Sequence, residues 1–224
     1  MSAREAILNK VRGALKAREG DAARVATIGE RLEKAPKGVI PARGQLPRAE
    51  RIELFCAMAE KLSATVERVD SRDAVPKAVA AYLRGRNLPA VLRMGEDERL
   101  TAMPWDGERS LQVKQGPSDG NDEVGLSHAT AAVAETGTLV MTSGNGNPTT
   151  INFLPEHHVV VVDADDIDGD LETALGRIRA GYGKGKMPRT VNLISGPSRS
   201  GDIEQKIILG AHGPRALHVI VVGG

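Results

Sequence analysis

Aromatic side chains are scarce in this 224-residue chain, and cysteine is scarcer still. Five aromatic residues make up 2% of the sequence, and Cys56 is its single cysteine. Proteins that bind single-stranded nucleic acid stack bases on aromatic rings, and membrane spans usually carry Trp and Tyr at both interfaces. The composition therefore argues against both functions, and it also weakens any flavin or nucleotide site that depends on ring stacking.

The single cysteine limits the redox chemistry of the chain. One thiol excludes an internal disulfide, a CxxC pair and an all-cysteine metal or iron–sulfur site built by this chain alone. The N-terminal region carries charges every few residues and lacks the apolar core of a signal peptide. The longest apolar stretches, 159–162 and 219–222, fall far short of the roughly 18 residues that a membrane span needs. We expect a cytoplasmic protein with no membrane span.

Charge is balanced overall but unevenly distributed. With 30 basic and 29 acidic residues the net charge is +1, so no overall field attracts nucleic acid. Residues 1–51 contain twelve basic and six acidic residues, whereas residues 115–176 contain eleven acidic residues and no Lys or Arg. The acidic segment is explained either by solvated loops or by a site whose anionic ligand relies on backbone N–H groups and cations from elsewhere.

The first 48 residues are predicted to form a helical arm and linker. Ser2 and Glu5 have the spacing of a capping box, and a segment rich in Pro and Gly follows between 36 and 47. The arm could pack on its own domain or on a partner, and a plain packed helix is favoured. Apolar residues recur at helical spacing at Ile7, Leu8, Val11 and Leu15, and again at Val25, Ile28 and Leu32.

Residues 49–224 show alternating helix and strand patterns. The apolar runs at 159–162 and 219–222 do not alternate with polar residues, as expected for strands covered on both faces. These patterns predict a layered α/β domain with a largely parallel central sheet. The predicted helices are 52–62, 71–83, 168–179 and 201–209, and the predicted strands are 65–69, 90–93, 110–114, 131–142, 158–162, 190–195 and 217–222.

Glu135 is the first candidate for acid/base chemistry. In an extended strand it would share a face with Val133, Leu139 and Met141, where a carboxylate is costly unless it is paired. Such groups are common at functional sites. The alternative is a structural carboxylate that holds a turn at Thr136 and Gly137.

Two further segments carry polar groups next to predicted strands. The loop 142–148 could form a hairpin or cradle a ligand with its backbone, but it lacks the lysine of a P-loop. The pair His157 and His158 enters a strand, so one ring points to each face and one of them can reach a cleft. Zinc ligation is disfavoured, because His128, Asp163 and His212 have no ligand spacing relative to this pair.

The segment 192–204 ends a predicted strand and leads into a predicted helix. Ligands of open α/β sheets collect at the carboxyl ends of strands, and helix N-termini attract anions. Arg199 could therefore hold a small carboxylate bidentately, with Ser198, Asp202 and Glu204 beside it. Alternatively, Ser198, Ser200 and Asp202 compete to cap the helix while Arg199 pairs with Glu204.

Four motifs together resemble the LUD-domain family. They are AETGT at 134–138, LPxxH at 154–158, GPSRSGDIE at 196–204 and LGAHGPRALHVIVV at 209–222. Two departures are small: the family often has Thr at the position of Ser200, and His157 is an extra histidine. These motifs contain or adjoin the residues chosen as candidates. The candidate catalytic residues are Glu135, His158, Asp202 and Glu204. The candidate ligand-binding residues are Thr136, Gly137, Thr138, Ser198, Arg199 and His212.

The resemblance also implies a fold and a role. The implied fold is similar to the phosphosugar isomerase, CoA-transferase and formyltetrahydrofolate cyclo-ligase group. The implied role is in oxidising L-lactate to pyruvate with two partner proteins that carry iron–sulfur motifs. Because Cys56 cannot hold a cluster alone, we expect no cofactor on this chain and electron flow through the partners. Its own part would be binding of a small carboxylate, proton handling or assembly.

Two rival hypotheses remain. One is a stand-alone enzyme acting on CoA esters or folates, in which Glu135 could be a nucleophile. The other is a non-catalytic assembly factor that uses the basic arm.

Overall fold

The computed structural model describes residues 2–16, 21–203 and 206–224, and within 201–208 it describes no side chains. The chain divides into two compact units, Met1–Val39 and Ile40–Gly224.

The first unit contains two helices, α1 (Ala3–Ala14) and α2 (Ala22–Lys34). The predicted capping box is confirmed: the Glu5 backbone N–H donates to Ser2 Oγ at 3.2 Å, and the Ser2 N–H donates to Glu5 Oε2 at 2.6 Å. These bonds satisfy backbone donors that the first turn of a helix leaves free.

The second unit alternates helices and strands. Its helices are α3 (Arg48–Lys61), α4 (Val75–Gly85), α5 (Glu98–Thr101), α6 (Thr149–Phe153) and α7 (Leu171–Tyr182). Its strands are β1 (Thr65–Val69), β2 (Val91–Met94), β3 (Gln112–Gln115), β4 (Val124–His128), β5 (Ala131–Val133), β6 (Thr138–Thr142), β7 (His157–Asp163), β8 (Ile167–Asp168), β9 (Val191–Ile194), β10 (Arg199–Ile203), β11 (Lys206–Leu209) and β12 (Ala216–Val222).

A six-stranded sheet in the order β1-β12-β7-β4-β2-β3 forms the centre of this unit. Every pairing in it is parallel. Val159 and Val161 of β7 pack against α4, whereas Val160 and Val162 pack against α3 on the opposite face. Apolar contacts on both faces explain why this strand shows no alternation in the sequence. The predicted layered α/β fold with a largely parallel sheet is confirmed.

A second, four-stranded sheet, β8-β5-β6-β9, adds another layer. Leu139 and Met141 of β6 face the core that contains α3, and Val140 faces α7. The prediction of one continuous strand over 131–142 is wrong, because β5 and β6 form an antiparallel hairpin. Gly137 reverses the chain at φ +63°, a conformation that glycine adopts without steric cost.

The predicted helix at 201–209 is also wrong. β10 and β11 form an antiparallel pair in this region, with Arg199 opposite Leu209 and Ser200 opposite Ile208. The β-branched residues Ile203, Ile207 and Ile208 favour strand over helix. The sequence prediction had also omitted β4, a buried strand at the centre of the sheet.

Within the described parts of the chain, no helix combines the length and apolar character needed to cross a membrane.

Candidate functional site

A cavity of about 300 Å³ lies at the start of β7 and β12. Its walls come from α6, from the start of these two strands, from the end of β9 with the segment that leads into β10 (193–199), and from the loop 212–214. Four of the residues singled out from the sequence line it together: His158, Ser198, Arg199 and His212. Residues far apart in the sequence thus meet in one depression, lined by both polar and apolar groups, of the size of a small-molecule site.

Close backbone contacts fix the loop that carries Arg199. Gly196 has φ +85°, and a Cβ there would lie 2.3 Å from the carbonyl oxygen of Leu62. The Ser198 N–H donates to the Pro214 carbonyl at 2.8 Å, which joins the two cavity loops. Arg199 Nη2 donates to the Leu62 carbonyl at 2.6 Å and to Ser63 Oγ at 2.7 Å. The guanidinium of Arg199 is therefore held in place at the cavity wall.

Two of the lining residues, His158 and Asn152, belong to a buried hydrogen-bonded chain. His158 Nε2 is 3.1 Å from Ser127 Oγ, and Ser127 Oγ donates to Asn152 Oδ1 at 3.0 Å. All three residues are about 1% exposed. Burial lowers the pKa of His158 to about 3, so its ring is neutral at physiological pH.

Two polar atoms of this hydrogen-bonded trio of residues have no hydrogen-bond partner among the described residues. They are His158 Nδ1 and Asn152 Nδ2, and both belong to residues that line the cavity. Leaving a buried donor or acceptor unpaired costs roughly 1–3 kcal/mol. Unpaired polar groups in the wall of a cavity are typical of a ligand site.

Sequence reasoning did not identify Ser127 and Asn152. Ser127 lies on β4, which was not predicted, and its side chain points into a sheet core where polar groups need a partner. Asn152 lies on the short α6. The available signal was a polar residue between apolar neighbours, as in Ile151-Asn152-Phe153, just before the LPxxH motif.

Glu135, by contrast, lies in the turn of the β5–β6 hairpin and is not among the described residues that line the cavity. Its side chain is 7% exposed, and its Oε2 accepts a 3.4 Å hydrogen bond from Arg43 Nε. This geometry agrees with the alternative of a structural carboxylate at a turn.

The other residues of this motif connect the turn to the cavity. Thr136 Oγ1 lies 2.8 Å from Thr138 Oγ1, which lies 2.7 Å from Ser195 Oγ. Ser195 lines the cavity. Gly137 packs closely on α3, since a Cβ there would lie 2.5 Å from the Ala59 nitrogen.

Asp202 and Glu204 cannot be placed with the other candidates. Asp202 lies on β10, but its side chain is outside the described part of the structure, and Glu204 is outside the described residues altogether. The expected helix N-terminus beside Arg199 was wrong, because β10 begins there. Helix-dipole stabilisation of an anion therefore does not operate at this cavity.

Charged side chains, including His128 and Asp163, also gather at the carboxyl ends of the central strands. His128 Nε2 lies 3.2 Å from Asp163 Oδ2, and Arg72 binds both oxygens of Asp163 at 3.1 and 2.6 Å. These contacts hold the pKa of Asp163 well below its usual range. In the described parts of the chain, no group of three or more His, Cys, Asp or Glu is arranged to hold a metal. Mutual pairing accounts for this cluster.

The fold and the cavity define an α/β protein with a candidate small-molecule site. The LUD domain family model matches residues 52–222, and the chain belongs to the LUD-domain family.

Several relatives carry the name Lactate utilization protein C, and two of them illustrate the match. The protein from Geobacillus sp. (strain WCH70) is 37% identical over 127 residues, which cover 56% of this chain and 52% of that protein. The protein from Shouchella clausii is 33% identical over 100 residues, 44% of each chain. The matched part of the chain thus spans about half the length of these curated relatives.

A solved structure supports the fold. The crystal structure of a DUF162 family protein from Deinococcus radiodurans superimposes with a TM-score of 0.61. It covers 80% of this chain and 99% of that chain at 24% sequence identity. At this identity the likeness bears on the fold alone.

Proposed function

We propose that this chain is a component of a lactate utilization system and that its cavity binds a small 2-hydroxy acid. The names of its relatives support the general role. The cavity supports the specific one, because it combines a fixed arginine with unpaired polar atoms.

The observation that carries the proposal is that His158 and Asn152 line a cavity that Arg199 also lines, and that each has a buried atom without a partner among the described residues, Nδ1 and Nδ2. L-Lactate offers one carboxylate and one hydroxyl. Arginine binds carboxylates through a planar set of donors, and the Asn152 amide adds a neutral donor. The lactate hydroxyl supplies the hydrogen-bond partner that His158 Nδ1 lacks. Ser198 and His212 border the same space and complete the polar rim.

His158 holds the hydroxyl rather than removing its proton. Because burial lowers the pKa of His158 to about 3, the ring is a weak base at physiological pH. We assign proton removal to another group. Asp202 and Glu204 remain the candidates on this chain, whereas Glu135 is paired with Arg43 and is not among the described residues that line the cavity. Thr136, Gly137 and Thr138 support the cavity through the hydroxyl contact between Thr138 and Ser195.

Partner proteins complete the reaction. Oxidation of lactate to pyruvate releases two electrons and two protons, and Cys56 alone cannot ligate an iron–sulfur cluster. We assign the electrons to iron–sulfur clusters in partner proteins, with no cofactor on this chain, and we place the assembly in the cytoplasm.

Co-purification tests this function. Tagged protein isolated from the source organism grown on L-lactate is expected to bring down iron–sulfur proteins, and deletion of its gene is expected to stop growth on L-lactate but not on glucose. Equal growth of the deletion strain on both carbon sources contradicts the proposal. Retention of acyl-CoA or folate instead of these partners supports the stand-alone enzyme.

A further inference from the structure

The buried chain of hydrogen bonds determines which nitrogen of His158 carries its proton. The oxygen of the Asn152 amide can only accept a hydrogen bond, so the single hydroxyl proton of Ser127 is directed to it. Ser127 Oγ must then accept from His158 Nε2, because its own proton is already used. This places the proton of the neutral ring on Nε2.

The other ring nitrogen is consequently an obligate acceptor. His158 Nδ1 carries a lone pair and has no partner among the described residues. Burial keeps the pKa of His158 near 3, so a second proton does not convert Nδ1 to a donor in the physiological range. A ligand hydroxyl can donate to such a nitrogen, whereas a ketone oxygen cannot.

We propose that Ser127 and Asn152 are positioning residues that make the cavity select the 2-hydroxy acid over the corresponding 2-oxo acid. The inference rests on the proposed function and adds a preference for one side of the reaction. The site holds the reduced 2-hydroxy acid and releases the oxidised 2-oxo acid. A carbonyl oxygen placed against Nδ1 would bring two lone pairs together and leave the nitrogen unpaired. Sites built to hydrogen-bond a hydroxyl strongly reject analogues that lack it.

Calorimetric titration of the full chain with L-lactate, pyruvate and propionate tests the selectivity. We expect L-lactate to bind at least about tenfold more tightly than pyruvate or propionate, in line with the cost of an unpaired buried group. Equal affinities for lactate and pyruvate overturn the selectivity and leave a small-acid site in place. Tighter binding of pyruvate overturns it as well and indicates the opposite amide orientation of Asn152. Failure of all three acids to bind contradicts the proposed function itself.

A substitution in the relay separates positioning from support of the fold. In Ser127→Ala the proton of His158 is no longer directed to Nε2, so we expect the ratio of lactate to pyruvate affinity to fall towards one. If Ser127 had a merely structural role, its loss would weaken the binding of both acids equally and leave the ratio of their affinities unchanged. The matched control is Ser118→Ala, which removes a buried hydroxyl that bonds Asp122 and does not line the cavity.

Nitrogen NMR of the wild-type imidazole rings tests the tautomer without any substitution. We expect a signal from His158 with a protonated Nε2 and a bare Nδ1 at neutral pH. A protonated Nδ1 with a bare Nε2 would overturn the proposal even if the Ser127→Ala protein does not fold.

Discussion

Individual glycines and carboxylates determine how the AETGT segment is used. Glu135 was selected from the sequence because a carboxylate among apolar residues needs a reason. The structure provides one in the ion pair with Arg43, at the turn where Gly137 adopts a positive φ. The same turn packs against α3. At the scale of single residues, the motif therefore joins two elements of the fold beside the cavity.

Substitution of Gly137 tests this close packing. Gly137→Ala combines a strained φ with a Cβ that would lie 2.5 Å from the Ala59 nitrogen and 2.6 Å from the Met58 carbonyl carbon. We expect a loss of about 2–4 kcal/mol in the free energy of unfolding, measured by urea denaturation. Gly176→Ala is the control: it lies within α7 with no atom within 4 Å of the added Cβ, and it should stabilise by about 0.5–1 kcal/mol. An unchanged stability of Gly137→Ala contradicts this packing.

At the scale of elements, strong periodic patterns were predictable and ambiguous apolar segments were not. The sequence predicted β1 at 65–69, as observed, and located β7 and β12 because unbroken valine runs require cover on both faces. It failed at 131–142, where the pattern predicts one strand that runs through Gly137 instead of a hairpin that reverses there. Both arrangements satisfy the same local pattern, and the antiparallel pairing of β5 with β6 distinguishes them.

The candidate site was predictable in part for a related reason. Motif spacing identified His158, Ser198, Arg199 and His212, which the fold brings together. Sequence patterns do not identify Ser127 and Asn152, because their role depends on the contact between β4, α6 and β7. Tertiary contacts of this kind leave no periodic signal in the sequence.

The segment 40–48 gives an element-scale prediction about domain boundaries. Arg43 binds Glu135, Gln45 Nε2 donates to Asp170 Oδ2 at 2.9 Å, and Arg48 Nε donates to Asp165 Oδ1 at 2.7 Å. Sequence patterns predicted that the domain begins at residue 49. We expect a truncated chain of residues 40–224 to keep the stability of the α/β unit, whereas residues 49–224 should lose about 2 kcal/mol or more, because buried Glu135 loses its partner.

Thermal unfolding of the two truncated chains, followed by circular dichroism, checks this prediction. Equal melting temperatures would support a boundary at residue 49 and would show that the contacts of residues 43–48 add nothing to stability.

At the scale of the whole molecule, positive charge from outside the acidic segment neutralises it. Residues 115–176 contain no Lys or Arg, yet Arg72 binds Asp163 and Arg93 binds Asp122. Arg177, just beyond the segment, binds Asp166 and Asp168. These acidic side chains of the segment are therefore paired across the fold with arginines that lie elsewhere in the sequence.

Buried histidines make the stability of the whole molecule depend on pH. Burial lowers the pKa of His158 to about 3 and that of His218 to about 4, below the unfolded value near 6.5. Below pH 6.5 these histidines bind protons in the unfolded chain, whereas the buried rings of the folded chain stay neutral. The stabilisation of the folded state is therefore present above that pH and is lost as the pH falls towards 4. Each ring is expected to lower the free energy of unfolding by about 2–3 kcal/mol when the pH falls from 7.5 to 4.5.

Melting temperatures across this pH range check the prediction. In His218→Gln the decrease on acidification should be smaller, since one of the buried rings with a lowered pKa is gone. His212→Gln, which changes an exposed histidine, should leave the slope as it is in the wild type. A melting temperature that stays constant from pH 7.5 to pH 4.5 in the wild type is incompatible with neutral buried rings.

The most direct test of the account is an NMR titration of the histidine rings with L-lactate. We expect saturable shifts of the His158 signals, no comparable shift at His218, and loss of the response in Arg199→Gln. Arg215→Gln should respond like the wild type, because Arg215 pairs with Glu156 at 2.9 Å and does not line the cavity. Saturable shifts at His128 but not at His158, or an unchanged response in Arg199→Gln, would contradict the placement of the small-acid site in this cavity.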